Sequence, residues 1–249
     1  MRTATRSLFA LLAVTVLAVS GTTTPAVSAS ATTGGADRAV AGARPGGHVG
    51  RTASLKRTAD GYYYGSWGQD NKVTVTLVEG GLRFRDPRPR SWDDMARGCH
   101  RQQVRRGVAA ICRVPDDVNP GHPMTIELEL RLGDDYVDTT TLGAEFQMKV
   151  LADQGAEEIH LGAGDDWVNG FLQRDRVWGG AGDDFIRGGE GNDALHGEAG
   201  NDELVGLQGD DALYGGDGND QIKCGDGDHD VAEPDDADQL VVGCEGTTK

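Results

Sequence analysis

From Ala152 to Val241 the chain repeats a nine-residue pattern in which Gly, Asp and apolar positions keep the same phase. Its clearest turns are Leu161 to Asn169 (LGAGDDWVN), Gly179 to Arg187 (GGAGDDFIR), Gly188 to His196 (GGEGNDALH), Gly197 to Val205 (GEAGNDELV), Gly206 to Tyr214 (GLQGDDALY) and Gly215 to Lys223 (GGDGNDQIK). Position eight is always apolar: Val150, Ile159, Val168, Val177, Ile186, Leu195, Leu204, Leu213, Ile222, Val231 and Leu240. A Gly- and Asp-rich acidic segment is compatible with disorder. An apolar residue fixed in one slot is not, because disorder gives no reason to keep the phase. The repeat therefore predicts a solenoid, in which each unit buries its apolar residue against its neighbours.

Gly at positions one, two and four permits positive φ and close backbone approach, so six residues can turn tightly with carbonyls pointing inward. Position six adds a carboxylate, and the last three residues form a short strand. Two nonapeptides make one coil, so turn n stacks on turn n+2 at roughly the 4.8 Å strand spacing. The Asp residues then face one another. Carboxylates that close repel unless a cation lies between them, and a cage of carboxylate and carbonyl oxygens suits Ca²⁺.

The charge is divided unevenly. Residues 151–249 carry 25 acidic and 5 basic side chains, whereas residues 1–150 carry 15 acidic and 19 basic. That acidity belongs to the repeats, and it argues against a nucleic-acid partner. Arg2 and Arg6 precede an apolar run from Leu8 to Val19, followed by Ala26, Ala29 and Ala31. This reads as a signal peptide over residues 1–29, cleaved after Ala29 or Ala31, and it predicts a secreted, extracellular protein. No later segment has the length for a membrane span, so no transmembrane segment is expected in the mature chain. Four cysteines, Cys99, Cys112, Cys224 and Cys244, allow three pairings in an oxidising compartment. The sequence-local pairs Cys99 with Cys112 and Cys224 with Cys244 are favoured.

Residues 30–60 lack an apolar period and read as a flexible linker, with order expected from Gly61. Residues 61–151 read as a β-rich N-terminal cap region. Val73, Val75 and Leu77 alternate, then turn at Glu79-Gly80-Gly81 into Leu82 and Phe84. A second hairpin, with strands near 102–104 and 110–111, would be closed by Cys99 and Cys112. Ile126, Leu128, Leu130 and Leu132 form a half-buried strand leading into Gly133-Asp134-Asp135-Tyr136-Val137, which echoes Gly164 to Val168. Val137 lies 13 residues before Val150, so the coil there should be larger. Residues 242–249 form a C-terminal tail tied down by a disulfide.

The repeats over 152–241 resemble the haemolysin-type calcium-binding repeat (RTX) family, in its secreted actinobacterial form. The resemblance implies an all-β fold, a right-handed parallel β-roll, in which Ca²⁺ sits between stacked loops. One loop would give the carbonyls of positions one and three, the other those of positions two and four, and both the Asp of position six. Carried onto this chain, one edge holds Leu161, Gly162, Ala163, Gly164 and Asp166, then Gly179, Gly180, Ala181, Gly182 and Asp184. It continues through Gly197, Glu198, Ala199, Gly200 and Asp202 to Gly216, Gly218 and Asp220, with three ions implied. The opposite edge is patchier. Gly188, Glu190 and Asp193 with Leu207, Gly209 and Asp211 make one good pair. Phe171 and Gln173 replace Gly in the loop of Asp175, which puts its sites in doubt, and position six of the loop from Cys224 is His229, flanked by Asp228 and Asp230. About three to five ions are expected in all. Glu198 and Leu207 replace the second Gly and must take φ values compatible with the turn. Unlike relatives exported through an uncleaved C-terminal signal, this chain has an N-terminal leader.

No catalytic constellation stands beside the repeats. The six His residues (48, 100, 122, 160, 196, 229) form no H-E-x-x-H, and Gly65-Ser66-Trp67-Gly68 is not a G-x-S-x-G elbow. Tyr62, Tyr63, Tyr64 and Trp67 suit either a sugar platform or the cap of a β core. Trp167, Trp178, Phe185 and Tyr214 lie outside the apolar slot, packed under the N-terminal region or exposed for binding. The reading is a non-enzymatic calcium-binding module, structural or surface-interacting, whose partner would be a cell-wall, polysaccharide or surface-protein ligand. The rival is an extracellular hydrolase with its site in residues 61–150.

Overall fold

One inward apolar side chain per nonapeptide forces successive units to stack, since no unit can bury that residue alone. The computed structural model describes residues 52–67, 70–234, 238 and 240–247, all strand, turn or irregular, with no helix among them. The expected signal peptide over 1–29 lies outside the described residues. Two sheets face each other across the apolar column. One has the strand sequence Gly61–Ser66, Met124–Leu130, Phe146–Leu151, Trp167–Leu172, Phe185–Glu190, Glu203–Gln208, Gln221–Asp226 and Leu240–Val242, all parallel. The other stacks Lys72–Val78, Tyr136–Asp138, Glu158–His160, Arg176–Ala181, Ala194–Ala199, Ala212–Asp217, Val231–Glu233 and Gly246–Thr247 in the same way. The result is a parallel β-roll, and Val150, Ile159, Val168, Val177, Ile186, Leu195, Leu204, Leu213 and Ile222 are fully buried along its axis. From Trp167 to Asp226 the repeat strands span six residues rather than three, because positions one to three also join the ladder.

The N-terminal half departs from the sequence reading in four ways. Order begins at Thr52, inside the segment read as a linker: Thr52–Arg57 pairs antiparallel with Gly61–Ser66 and buries Ala53 and Leu55. Two apolar residues at alternate positions beside a turn suffice for a strand, and the flanking Arg and Thr hid them. The parallel stack itself starts at Gly61, so the region 61–151 read as a β-rich cap also contributes the first coils of the roll. These coils are larger, as Leu128 pairing with Val150 and Val137 with Ile159 shows. Antiparallel strand pairing among the described residues joins Thr52–Arg57 to Gly61–Ser66, Gly81–Asp86 to Lys72–Val78 and to Val108–Cys112, and Cys99–Arg101 to Val108–Cys112, while Ser91–Met95 runs parallel to Thr52–Arg57 at the edge of the first sheet. The hairpin of Cys99–Arg101 is shifted from the expected 102–104 and 110–111, and residues 102–107 form its turn. The strand expected to reach Leu132 stops at Leu130, and Leu132 is 43% exposed.

The C-terminal end shows a slip in phase. Leu213 pairs with Ala232 and Ile222 with Val241, so Val231 and Leu240 are not the slot residues. The loop after Gly227 holds one extra residue, and Ala232 is the buried one. Cys99 is bonded to Cys112 and Cys224 to Cys244, the favoured pairing.

The aromatic residues outside the slot do not pack under the N-terminal strands. His160, Trp178, His196 and Tyr214 occupy one outward column and stack with planes within 5° of parallel at centroid spacings of 4.2, 5.3 and 4.4 Å. Trp167 stacks on Phe185 on the other sheet. Tyr62 and Tyr64 are buried core, whereas Trp67 is 44% exposed with Arg131 over its ring at 3.7 Å, so Tyr62, Tyr63, Tyr64 and Trp67 do not form one platform.

Candidate metal centre

Each position-six carboxylate is split between two tasks. Its Oδ1 accepts a hydrogen bond from the backbone N–H of the residue in the same slot one coil earlier: Asp166 to Asp184 at 2.7 Å, Asp184 to Asp202 at 2.8 Å and Asp202 to Asp220 at 2.9 Å. The other edge repeats the ladder, with Asp175 donating to Asp193 and Asp193 to Asp211, both at 2.8 Å. The second oxygen has no such partner. Oδ2 of Asp166, Asp175, Asp184, Asp193, Asp202, Asp211 and Asp230 is buried without a hydrogen bond. A buried carboxylate oxygen left unpaired is costly, and a whole column of them requires an electrostatic partner.

The glycines shape what lies in front of these oxygens. At Gly179, Gly188, Gly197 and Gly206 a Cβ would collide with Oδ2 of Asp184, Asp193, Asp202 and Asp211 respectively. At Gly197 it would also fall 2.5 Å from the Gly215 carbonyl oxygen. Gly180, Gly182, Gly200, Gly209, Gly216 and Gly218 take positive φ, and each lies against a carbonyl of the preceding coil. A Cβ at Gly179, Gly188, Gly197 or Gly206 would fill this cradle, and glycine there leaves it to oxygens. Gly162 and Gly164 face the carbonyls of Thr139, Leu142 and Phe146, which places the loop from Leu161 on the turn before it. Among the described residues no three His, Cys, Asp or Glu side chains converge on a point. Carbonyls must therefore supply most of any coordination shell. The donor set is all oxygen, hard and anionic, and it fits Ca²⁺ held between stacked loops by the position-six aspartates.

The structure corrects the reading of the second edge. The slot after Asp211 is taken by Asp230, not His229: Asp230 is fully buried and its Oδ1 accepts from Asp211 N at 2.8 Å. The extra residue lets His229 swing out to meet Asp210. Asp175 itself takes its place in the ladder: it is fully buried and its Oδ1 accepts from Glu157 N at 2.9 Å. Phe171 and Gln173 reach this geometry by adopting φ of 74° at both positions, and Glu198 and Leu207 follow at 79° and 88°. Each such residue stores about 1–2 kcal/mol of steric strain. Two carboxylates were missed. Glu157 fills the slot before Asp175, where the signal was a Glu in phase; Asp135 accepts hydrogen bonds from Asn71 N and Nδ2, where the signal was the Gly133-Asp134-Asp135 echo.

The family profile of the RTX calcium-binding nonapeptide repeat matches four times, over residues 151–186, 171–204, 187–222 and 196–230. Residues 151–230 belong to the RTX calcium-binding repeat family. No curated protein and no solved structure gives a match. The RTX match covers the regular coils and ends where the phase slips. It leaves the larger N-terminal coils outside.

Burial shifts the carboxylates of the metal-free RTX ladder upward. Desolvation raises Asp166 and Asp184 to about 8 and Asp193 to about 7, partly offset by the hydrogen bonds to Oδ1. Asp202 and Asp211 rise to about 6 for the same reason. A carboxyl whose folded pKa lies above its unfolded value near 3.9 favours folding while protonated and opposes it once ionised. The stabilisation is full below about pH 4 and lost as pH rises through 6 to 8. In chelator, acidification from pH 8 to 4 should therefore restore β-structure to the repeats. Far-UV circular dichroism measures it, and a flat response across that range counts against the carboxylate ladder as the destabilising element.

Proposed function

We propose that this is a secreted, non-enzymatic protein whose repeats fold on binding Ca²⁺ and then serve as a rigid structural or surface-interaction module. The observation that carries the reading is the pair of carboxylate ladders, each with a column of buried oxygens facing glycine-lined cradles of carbonyls. Export is supported by the Arg-flanked apolar leader and by two disulfides, which persist in oxidising compartments. No helix among the described residues is long and apolar enough to cross a membrane. The excess of carboxylates over the repeats disfavours nucleic acid as the partner.

Every interior loop faces one neighbour above and one below, so ordering it for one ion prepares half of the next site. Calcium binding by the full chain, followed by calorimetry or equilibrium dialysis, should be cooperative, with a Hill coefficient above one. Its midpoint should lie at about 10⁻⁴ to 10⁻³ M, the range of extracellular calcium modules. Mg²⁺, which demands a small octahedral shell and keeps its waters, should not substitute. Independent sites, or equal occupancy by Mg²⁺, would reject the proposal.

A further inference from the structure

At the N-terminal end of the roll three arginines from separate segments line one concavity. Arg57 ends the strand Thr52–Arg57, Arg97 precedes the turn at Gly98, and Arg113 follows the strand Val108–Cys112. With Tyr62, Pro115 and Asp116 they enclose about 360 Å³. The convergence is built by several independent constraints. The Cys99–Cys112 disulfide and the hydrogen bond from Arg113 N to Gly98 O, at 3.2 Å, lock the two arginine-bearing segments side by side. Tyr62, buried in the core, donates from its hydroxyl to Arg113 O at 2.9 Å, and Arg57 lies over the Tyr62 ring with its guanidinium carbon 4.9 Å from the centroid.

Three arginines line one concavity, and the chain does little to neutralise their charge. Arg113 meets Asp116 at 3.4 Å in a pair whose side chains are 74% and 92% exposed, an arrangement worth little in water. Arg57 and Arg97 have no carboxylate partner among the described residues, in a chain with 40 acidic side chains against 24 basic ones. We infer that this concavity binds the oxyanion of a sulfate or phosphate monoester, of the kind carried by substituted sugars. Guanidinium forks donate paired hydrogen bonds to such groups, and three donors approaching from different segments suit a tetrahedral anion better than a planar carboxylate. The Tyr62 ring is covered by Arg57 on one side and meets Phe84 edge-on, so it offers no stacking face and recognition rests on the anion. This site is separate from the calcium ladders and stands whether or not they bind metal as proposed.

The test is calorimetric titration of the calcium-loaded full chain with glucose 6-sulfate, glucose 6-phosphate and glucose. One or both esters should bind saturably and one-to-one, with affinity falling as salt rises, while glucose gives no binding. A preference between the esters identifies the source of the anion. Arg97→Ala should weaken binding by at least about tenfold, the usual loss for a hydrogen bond to a charged group. Arg97→Lys keeps the charge without the fork and should fall between. Arg101→Ala, on the adjacent strand Cys99–Arg101 outside the concavity, should bind as the parent does. An unchanged calcium midpoint in Arg97→Ala shows that the repeats are intact. Absence of saturable binding by both esters overturns the inference, as does an equal loss in Arg101→Ala and Arg97→Ala, which would mean diffuse attraction.

Discussion

Stripped of calcium at neutral pH, the full chain should divide into an ordered N-terminal part and an unfolded repeat region. The two parts share one sheet pair but are stabilised differently. The first coils bury Tyr62, Tyr64, Phe84, Ile126, Leu128, Leu130 and Phe146, a core of large side chains that needs no metal. Each regular nonapeptide buries one sizeable apolar side chain, such as Ile186, Leu195 or Leu204, while also burying a carboxylate. Ordering nine residues costs about 1–2 kcal/mol each in backbone entropy, which so thin a core does not offset while ionised carboxylates are buried with it. At neutral pH Asp202 and Asp211, raised by burial to about 6, are ionised and oppose folding further, and Asp166 and Asp184, raised to about 8, join them as pH rises. Metal binding and folding of the repeats then become a single transition. Hydrogen exchange read by mass spectrometry separates the two parts. In chelator, peptides from 161–222 should exchange at unfolded rates while peptides over 61–66 and 124–130 stay protected. Uniform protection with and without calcium would show that the repeats stand on their own.

How much of this was legible depended on whether chemistry or only phase was at stake. The slot residues from Val150 to Ile222 and the carboxylates Asp166, Asp184, Asp193, Asp202 and Asp211 could be read directly, because each turn makes the same steric demand at the same position. Phase reading failed where one residue was inserted: His229 was counted into the slot, but the slot selects a side chain able to accept from Asp211 N, and Asp230 does so. The burial of Asp175 was not legible either, because Phe171 and Gln173 reach positive φ without being Gly, Phe171 pairing with Gly189, which also has positive φ. The start of the stack at Gly61 was hidden for another reason. Residues 79–123 interrupt the first coil with a hairpin and a long return, so the parallel partners Gly61–Ser66 and Met124–Leu130 carry no sequence period linking them.

The largest effect of any single substitution should come from Asp184→Ala or Asp202→Ala. Each of these side chains lies between two others of its ladder. Asp184 Oδ1 receives the N–H of Asp166, Asp184 N–H goes to Asp202, and its free oxygen faces the cradle at Gly179. Alanine removes a charged ligand shared by two stacked sites and leaves the N–H of Asp166 buried without its acceptor. The calcium midpoint should rise by at least about tenfold, the scale on which charge at the coordination shell tunes such sites. Asp184→Asn separates the two contributions. Its amide oxygen can still accept from Asp166 N, so in chelator at pH 4 it should fold as the parent does while Asp184→Ala does not; in calcium at neutral pH it should be impaired nearly as much as Asp184→Ala, because the charge is gone. Asp175→Ala should shift the midpoint less. Its slot is equivalent, but the loop that carries it holds two strained residues in place of Gly, so any ion there is bound more weakly and contributes less to the folded state. Equal shifts for Asp175→Ala and Asp184→Ala would mean that strain at Phe171 and Gln173 does not set site strength, and that both edges of the roll bind calcium alike.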